Sequence, residues 1–373
     1  MNIQRTNSKR IRSKQLSATS ATEQTPEYDE IFLGLDVHSE HIRVVRQIDG
    51  SNPQPAQRLS WEKIQEFIKK QLTLARKVYA VYEAGAFGFQ LQRDLQALGA
   101  TCYVTKPAKL DPEHRRVQTD KTDARELTGK LERYVHGNDR AMVVVRVPTV
   151  EQELRRSQAR HRKYLHKQLQ SVRAHGRGVL LSQGVRHAAA WWKQARWDEL
   201  APRLPAPIRA SLEDCRALIA SYEQLLKPVE KNLKASAPTE RPRGFGALTF
   251  ALLIRELLTW ERFQNRRQVG SFFGLCGGVS SSGRQHYDLS ITKAGSPYLR
   301  VLLIELAWRM IYYQPNYKAV QRWAPVFKNP KSHSRQRKRA IVALARQLAV
   351  DIWKWQTGKI TPEELGWEMN LAA

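Results

Sequence analysis

Ile31-Phe32-Leu33-Gly34-Leu35-Asp36-Val37-His38 is a short apolar run with one carboxylate near its end. Its length, its lack of a helical period and its flanking breakers mark a buried strand. An isolated carboxylate is prohibitively costly to bury, so Asp36 needs a partner, a proton or a metal ion. Three further acids stand where they could meet it. Glu83 ends a second apolar run, and Asp120 and Asp123 lie three apart at the start of a later helix. Four carboxylates converging on one point bind a hard divalent cation, Mg²⁺ or Mn²⁺, through oxygen, and such a cation serves phosphodiester cleavage.

The elements around this run are readable in order. His41 to Ile48 nearly alternates as a half-exposed strand does, Asp49-Gly50 is a turn, and a third strand lies near Gln57 to Leu59. Trp61 to Leu72 carries Ile64, Phe67, Ile68 and Leu72 at helical spacing, and Lys77 to Tyr82 is a buried strand. A helix from Phe89 to Leu98 is closed by Gly99, a strand runs from Thr101 to Val104, and Thr119 stands as the cap of a helix holding Asp120 and Asp123. Those two acids alone are also good N-terminal helix chemistry and nothing more. Three strands, helix, strand, helix, strand, helix is the order of a ribonuclease-H-like, RuvC-like α/β domain. We expect it over residues 29–148, after a disordered basic arm over residues 1–28.

A helical linker or coiled-coil arm is expected over residues 149–235. Its first helix, Glu151 to Arg177, is dense in cations: Arg155, Arg156, Arg160, Arg162, Lys163, Lys167 and Arg173. Trp191, Trp192 and Trp197 follow. Leu212, Cys215, Ile219, Tyr222, Leu226 and Val229 then form a heptad seam on a helix that Pro228 should end or kink. The seam suits an antiparallel pair packing on itself as well as it suits pairing between chains.

A mainly α domain should occupy residues 236–373, making the whole chain α/β plus α. Gly244-Phe245-Gly246 leads into an apolar helix from Phe250 to Leu258, in the manner of a glycine turn that holds a phosphate on backbone N–H groups. A second helix runs from Arg266 to Phe273. The stretch from Gly274 to Arg284 has four glycines and three serines, which predicts a loop without regular structure, able to approach another chain closely. Ser296 and Pro297 start a long helix to about Tyr313. Lys328, Lys331, Arg335, Arg337, Lys338 and Arg339 form a basic run suited to phosphate, and Ala340 to Trp355 is a final amphipathic helix.

The chain holds 62 Lys and Arg against 35 Asp and Glu, a formal charge of +27 over 373 residues. So basic a chain calls for a polyanionic partner, and nucleic acid is preferred to a membrane because no apolar run reaches the length of a span. Three scattered cysteines without a C-x-x-C pair indicate neither a zinc site nor a disulfide framework and fit a reducing, cytoplasmic setting.

Taken together, the motifs resemble the DEDD transposases of insertion sequences, family one-ten and more narrowly its eleven-eleven subgroup of bridge-RNA-guided recombinases. Gly34-Leu35-Asp36 resembles the first acid motif, Tyr82-Glu83-Ala84-Gly85 the second, and Thr119-Asp120-Lys121-Thr122-Asp123-Ala124-Arg125 the closing pair. Gly274-Leu275 through Ser281-Ser282-Gly283, with Lys293-Ala294-Gly295, resembles the C-terminal transposase domain, where the family carries a nucleophilic serine directly before a glycine. That points to Ser282, with Ser280 and Ser281 close by. The resemblance implies donor and target DNA as substrates, with Arg284 and Lys293 beside the serine as candidate contacts. It also implies a non-coding guide (bridge) RNA, and a homo-oligomer, dimer or tetramer, in which the serine of one protomer completes the acidic site of another. Two other readings stand beside it: a metal-dependent junction resolvase in which water replaces serine, and a non-catalytic RNA-binding protein on a degenerate nuclease fold.

Overall fold

The computed structural model describes residues 26–107, 120–282 and 285–370, with the backbone alone described at residues 120–123, 279–282, 285, 286 and 288. Most of the expected basic arm, Thr119 and Arg284 lie outside the described residues. The chain divides into two compact units, residues 1–147 and 148–373.

In the first unit, β1 (Tyr28–Val37), β2 (Ile42–Ile48) and β3 (Gln57–Leu59) form an antiparallel meander. Then α1 (Trp61–Leu74) leads to β4 (Ala75–Glu83), α2 (Gln90–Ala97) leads to β5 (Thr101–Thr105), and α3 (Asp120–Val135) follows. The sheet order is β3-β2-β1-β4-β5, with β4 parallel to β1 and β5 parallel to β4. β1 is therefore central and covered on both faces, which is why its apolar residues run without alternation. Ile31, Leu33 and Leu35 pack with Ile64, Ile68, Leu91 and Leu95 on one face. Phe32 packs with Val81, Leu127 and Leu131 on the other.

At Gly34, α3 rides directly on the strand. A Cβ there would overlap the Ala124 carbonyl oxygen and Thr128 Oγ1 and lie 2.8 Å from the Thr128 amide nitrogen. The helix runs against β1, because His136, just past its last turn, stacks edge-on against Phe32 and pairs with Glu30 at 3.0 Å. Its N-terminal end is consequently directed toward the carboxyl ends of β1 and β4.

The second unit begins with α4 (Val150–Ser182), α5 (Gln194–Leu200) and α6 (Ala206–Ala235). Thr149 and Gln152 form a reciprocal capping box at the start of α4. α4 and α6 are antiparallel: Arg162 pairs with Glu230 at 2.6 Å, and Arg173, eleven residues later, pairs with Glu223. The heptad seam is thus filled inside the chain, where Leu212, Cys215, Ile219 and Leu226 pack with Leu165, Leu169 and Leu180. Pro228 does not end α6. The helix continues to Ala235, because Leu233 beyond the proline is buried in the core of the following helices. The tryptophans close the hairpin: Trp191 is fully buried against Gly176, where any side chain would overlap its ring, and its indole N–H donates to the Arg173 carbonyl at 3.1 Å.

Beyond the hairpin come β6 (Arg241–Pro242), α7 (Ala247–Leu257), α8 (Arg266–Phe272), β7 (Gly277–Ser282) and β8 (Gln285–Ile291). They are followed by α9 (Pro297–Tyr313), α10 (Lys318–Lys328), α11 (Ser334–Gln356), α12 (Pro362–Leu365) and β9 (Met369–Asn370), which pairs back with β6. Three expectations are corrected here. The glycine- and serine-rich stretch is not irregular, since β7 and β8 form an antiparallel hairpin with Ser282 opposite Gln285. The partner Gln285–Ile291 supplies strand character, and a register irregularity between Gly277 and Val279 absorbs the glycines. The last long helix starts at Ser334, not Ala340, because His333 caps it: Nδ1 accepts from the Arg335 amide at 3.2 Å, and Gln336 Oε1 accepts from the His333 amide at 3.1 Å. Nor is that helix the final element.

Candidate functional site

Sheet register makes two of the four acids neighbours. Leu35 and Tyr82 are partners in the parallel pairing of β1 and β4, so Asp36 and Glu83 are the next residues out on adjacent strand ends. Strand alternation puts Asp36 in phase with Phe32 and Gly34, and Glu83 in phase with Tyr79 and Val81, on the face that α3 covers. Asp36 retains 20% of its side-chain exposure, and His38 Nε2 lies 2.8 Å from its Oδ2. Asp120 is the first residue of α3, and Asp123 directly precedes Ala124, whose carbonyl meets Gly34. Among the described residues, no three or more His, Cys, Asp or Glu side chains cluster closely enough to hold a metal ion. The side chains of Asp120 and Asp123 are not among them. The donor set is nevertheless all oxygen, which suits Mg²⁺ or Mn²⁺ and disfavours softer ions.

The expected serine lies in the second unit. Ser280, Ser281 and Ser282 pair with Tyr287, His286 and Gln285 across the β7–β8 hairpin. The base of the hairpin is closed by two glycines whose backbones nearly touch. A Cβ at Gly295 would overlap the Phe272 carbonyl oxygen and lie 2.8 Å from the Gly274 nitrogen, and Gly274 itself has φ +64°. Lys293, expected to contact nucleic acid, sits in this turn with φ +54°, a conformation that costs about 1–3 kcal/mol for a side-chain-bearing residue and gathers at functional sites. Its amide donates to the Gly274 carbonyl at 3.2 Å.

Beside the hairpin opens a cleft of about 1490 Å³ whose walls carry nine lysines and arginines and one acid, Asp351. Arg335, Lys338, Arg339, Arg346 and Lys354 line it from one face of α11, Lys318 and Arg322 from α10, and Arg266 and Arg267 from the start of α8. Gly277, Leu289, Ser290 and Ile291 of the hairpin form its rim. Asp351 is held at its floor by the Tyr317 hydroxyl at 2.5 Å and the Gln347 amide at 2.8 Å. Burial raises its carboxyl above the ordinary value, against the opposing pull of these two hydrogen bonds.

The protein-family model described as transposase IS116/IS110/IS902 family matches residues 240–322, the segment that holds the hairpin and its glycine clamp. A Sinorhizobium fredii protein described as "Putative transposase y4rJ" is 32% identical over 312 residues, covering 76% of this chain and 78% of its own. The chain belongs to the IS110/IS116 family of transposases. The transposase for insertion sequence element IS1533 of Leptospira borgpetersenii is 25% identical over 75% of this chain and 85% of its own. That for element IS1111A of Coxiella burnetii is 25% identical over 72% and 75%.

In this transposase the expected cationic contacts separate into two groups. Arg335, Lys338 and Arg339 line the cleft, while Arg337 turns back to the Asn329 carbonyl at 2.9 Å. On α4, Arg155, Arg160, Arg162 and Arg173 pair with Glu151, Glu256, Glu230 and Glu223, and Lys163 lies over the Tyr298 ring at 4.5 Å. Much of that helix's charge therefore holds the unit together. Sequence reasoning missed Arg266, Arg267, Lys318, Arg322, Arg346 and Lys354. For the last two a signal was present, since positions 335, 339, 346 and 354 share one helical face once α11 is started at Ser334. It also missed His38, two residues beyond Asp36 and in phase with it. Among the described residues, no helix is long and apolar enough to cross a membrane.

Proposed function

We propose that this transposase cuts and rejoins DNA through Ser282 at a metal-assisted site of Asp36, Glu83, Asp120 and Asp123 on a RuvC-like domain, with a non-coding RNA as guide. The observation that carries the reading is the register that makes Asp36 and Glu83 neighbours while Gly34 lets the start of α3 approach them. The sheet order β3-β2-β1-β4-β5, with its antiparallel meander and two parallel crossovers, supports the ribonuclease-H-like reading. A divalent cation held by the four carboxylates would neutralise charge developing at the scissile phosphate.

The serine hydroxyl is a weak nucleophile at neutral pH and needs a base, a role open to a carboxylate of the quartet. As the Ser282 Oγ–P bond forms, one P–O bond to a sugar breaks and the departing sugar oxygen takes up a proton. Attack by a sugar hydroxyl of the second strand reverses the step and frees the serine. The number of phosphodiester bonds is conserved, so rejoining needs no ATP. The cleft beside the hairpin would hold the phosphate backbone next to the serine, reading shape and charge while base pairing with RNA reads sequence.

The experiment mixes Ser282→Ala with Asp36→Ala protein in the presence of DNA, guide RNA and Mg²⁺. Each variant is inert alone, and the mixture regains partial cleavage if the serine of one protomer serves the acids of another. Normal strand transfer by Ser282→Ala alone contradicts the proposal, and water-dependent hydrolysis without a protein–DNA adduct would favour the resolvase reading.

A further inference from the structure

We infer that His38 is a positioning residue for Asp36, gripping one carboxylate oxygen and so fixing the direction in which the other is offered to a divalent cation. The inference rests on the reading of Asp36 as a metal ligand and deepens it. Three observations carry it.

First, His38 Nε2 and Asp36 Oδ2 are 2.8 Å apart, hydrogen-bonding distance, and the two positions lie in phase on β1 and its continuation. Second, the imidazole is not left to rotate in solvent. Its ring stacks on that of His41 with centroids 4.9 Å apart and planes 25° from parallel. Third, the backbone on both sides of the ring is tied. The His38 amide donates to the His41 carbonyl at 2.9 Å, and the His38 carbonyl accepts the Trp61 indole N–H at 3.0 Å. Trp61 is the first residue of α1, so the β1–β2 connection and a helix start jointly set where the imidazole sits.

A surface Asp–His contact would have no need of such support, because its two partners could find each other with many side-chain geometries. Here the support matters because Mg²⁺ demands near-ideal octahedral coordination and tolerates little wander in its ligands. Groups that hydrogen-bond a liganding carboxylate set its orientation, and losing one typically weakens metal affinity about 10- to 100-fold. His38 stands in that relation to Asp36, touching the carboxylate without itself being one of the four acids.

The test measures Mn²⁺ binding to the full-length protein by electron paramagnetic resonance, alongside thermal denaturation. His38→Phe keeps a ring to stack on His41 and the backbone hydrogen bonds but loses the donor. His38→Gln keeps an N–H donor near the same oxygen. His38→Phe should bind Mn²⁺ about 10- to 100-fold more weakly than wild type with an unchanged melting temperature, and His38→Gln should recover most of that loss. Equal Mn²⁺ affinity in wild type and His38→Phe overturns the inference while leaving the four-acid reading standing. A wild-type protein with no Mn²⁺ affinity that Asp36→Asn can abolish overturns both. If His38→Phe fails to fold, His38→Gln decides alone: near-wild-type affinity supports the inference, and loss comparable to Asp36→Asn overturns it.

Discussion

Asp36 and Glu83 end neighbouring parallel strands, each one residue past the register pair Leu35–Tyr82. Placing two carboxylates there is unfavourable unless something compensates their repulsion, and the fold has been shaped to bring a third element to the same spot. Gly34 is the means, since only the absence of a side chain lets Ala124 and Thr128 settle on β1.

Gly34→Ala tests that arrangement. The added methyl would overlap the α3 backbone, and forcing such an insertion costs about 1–3 kcal/mol. We expect a melting temperature lowered by several degrees and a loss of cleavage larger than the stability loss explains, because the start of α3 is displaced from Asp36. Wild-type cleavage by a destabilised Gly34→Ala protein would show that the position of α3 does not matter to the chemistry.

Asp36→Asn, Glu83→Gln, Asp120→Asn and Asp123→Asn should each abolish cleavage with thermal stability unchanged or slightly raised, since like charges are being removed from one place. Chelation of divalent ions should match their effect in the wild type. Retained cleavage in any of the four, measured with excess Mg²⁺, removes that residue from the site.

The two groups of cations should behave differently. Replacing Arg339 and Arg346 in the cleft with Gln should weaken binding to all DNA sequences alike and flatten the log–log salt slope by about 0.9 for each phosphate no longer neutralised. Arg162→Gln and Arg173→Gln, which strand Glu230 and Glu223, should chiefly lower the unfolding midpoint. A salt slope changed more by the α4 pair than by the cleft pair reverses the assignment.

Tyr317→Phe removes one of two hydrogen bonds to the buried Asp351. Leaving a buried acceptor short of a partner costs about 1–3 kcal/mol, read as a lowered urea midpoint. Burial, and then the nearby Asp351, raise the Tyr317 phenol well above 10, so the folded protein holds that proton more tightly than the unfolded chain. The stability it contributes is present below pH 10 and lost as pH climbs beyond, and the wild type should show that decline while Tyr317→Phe lacks it.

Much of the first unit was legible because each element carried its own period and breakers. The Ile31 to Leu35 run reads as a buried strand from its length and flanking breakers, and Gly99 closes its helix where the structure ends it. What remained hidden depended on partners distant in sequence. The strand character of Gly277–Ser282 comes from Gln285–Ile291, and glycine and serine propensities do not announce it. The start of α11 was masked by an unusual cap, His333, and by a cationic run that reads equally well as a solvated loop. The seam on α6 could be read from its spacing, but only packing against α4 decides that it is filled within the chain. Likewise Arg162 and Arg173 look like phosphate ligands until Glu230 and Glu223 arrive from sixty-eight and fifty residues away.

The proposed function turns on one bond, formed between DNA and a serine of the β7–β8 hairpin under the control of four acids on the other unit. To detect it, the reaction is trapped with guide RNA, DNA and Mg²⁺, the protein is digested, and the nucleotide-bearing peptide is mapped by mass spectrometry. The expected product is an adduct at Ser282 that vanishes in Ser282→Ala, in Asp36→Asn and on chelation of Mg²⁺. An adduct on Ser280 or Ser281, or full strand cleavage with no adduct on any residue, would contradict it.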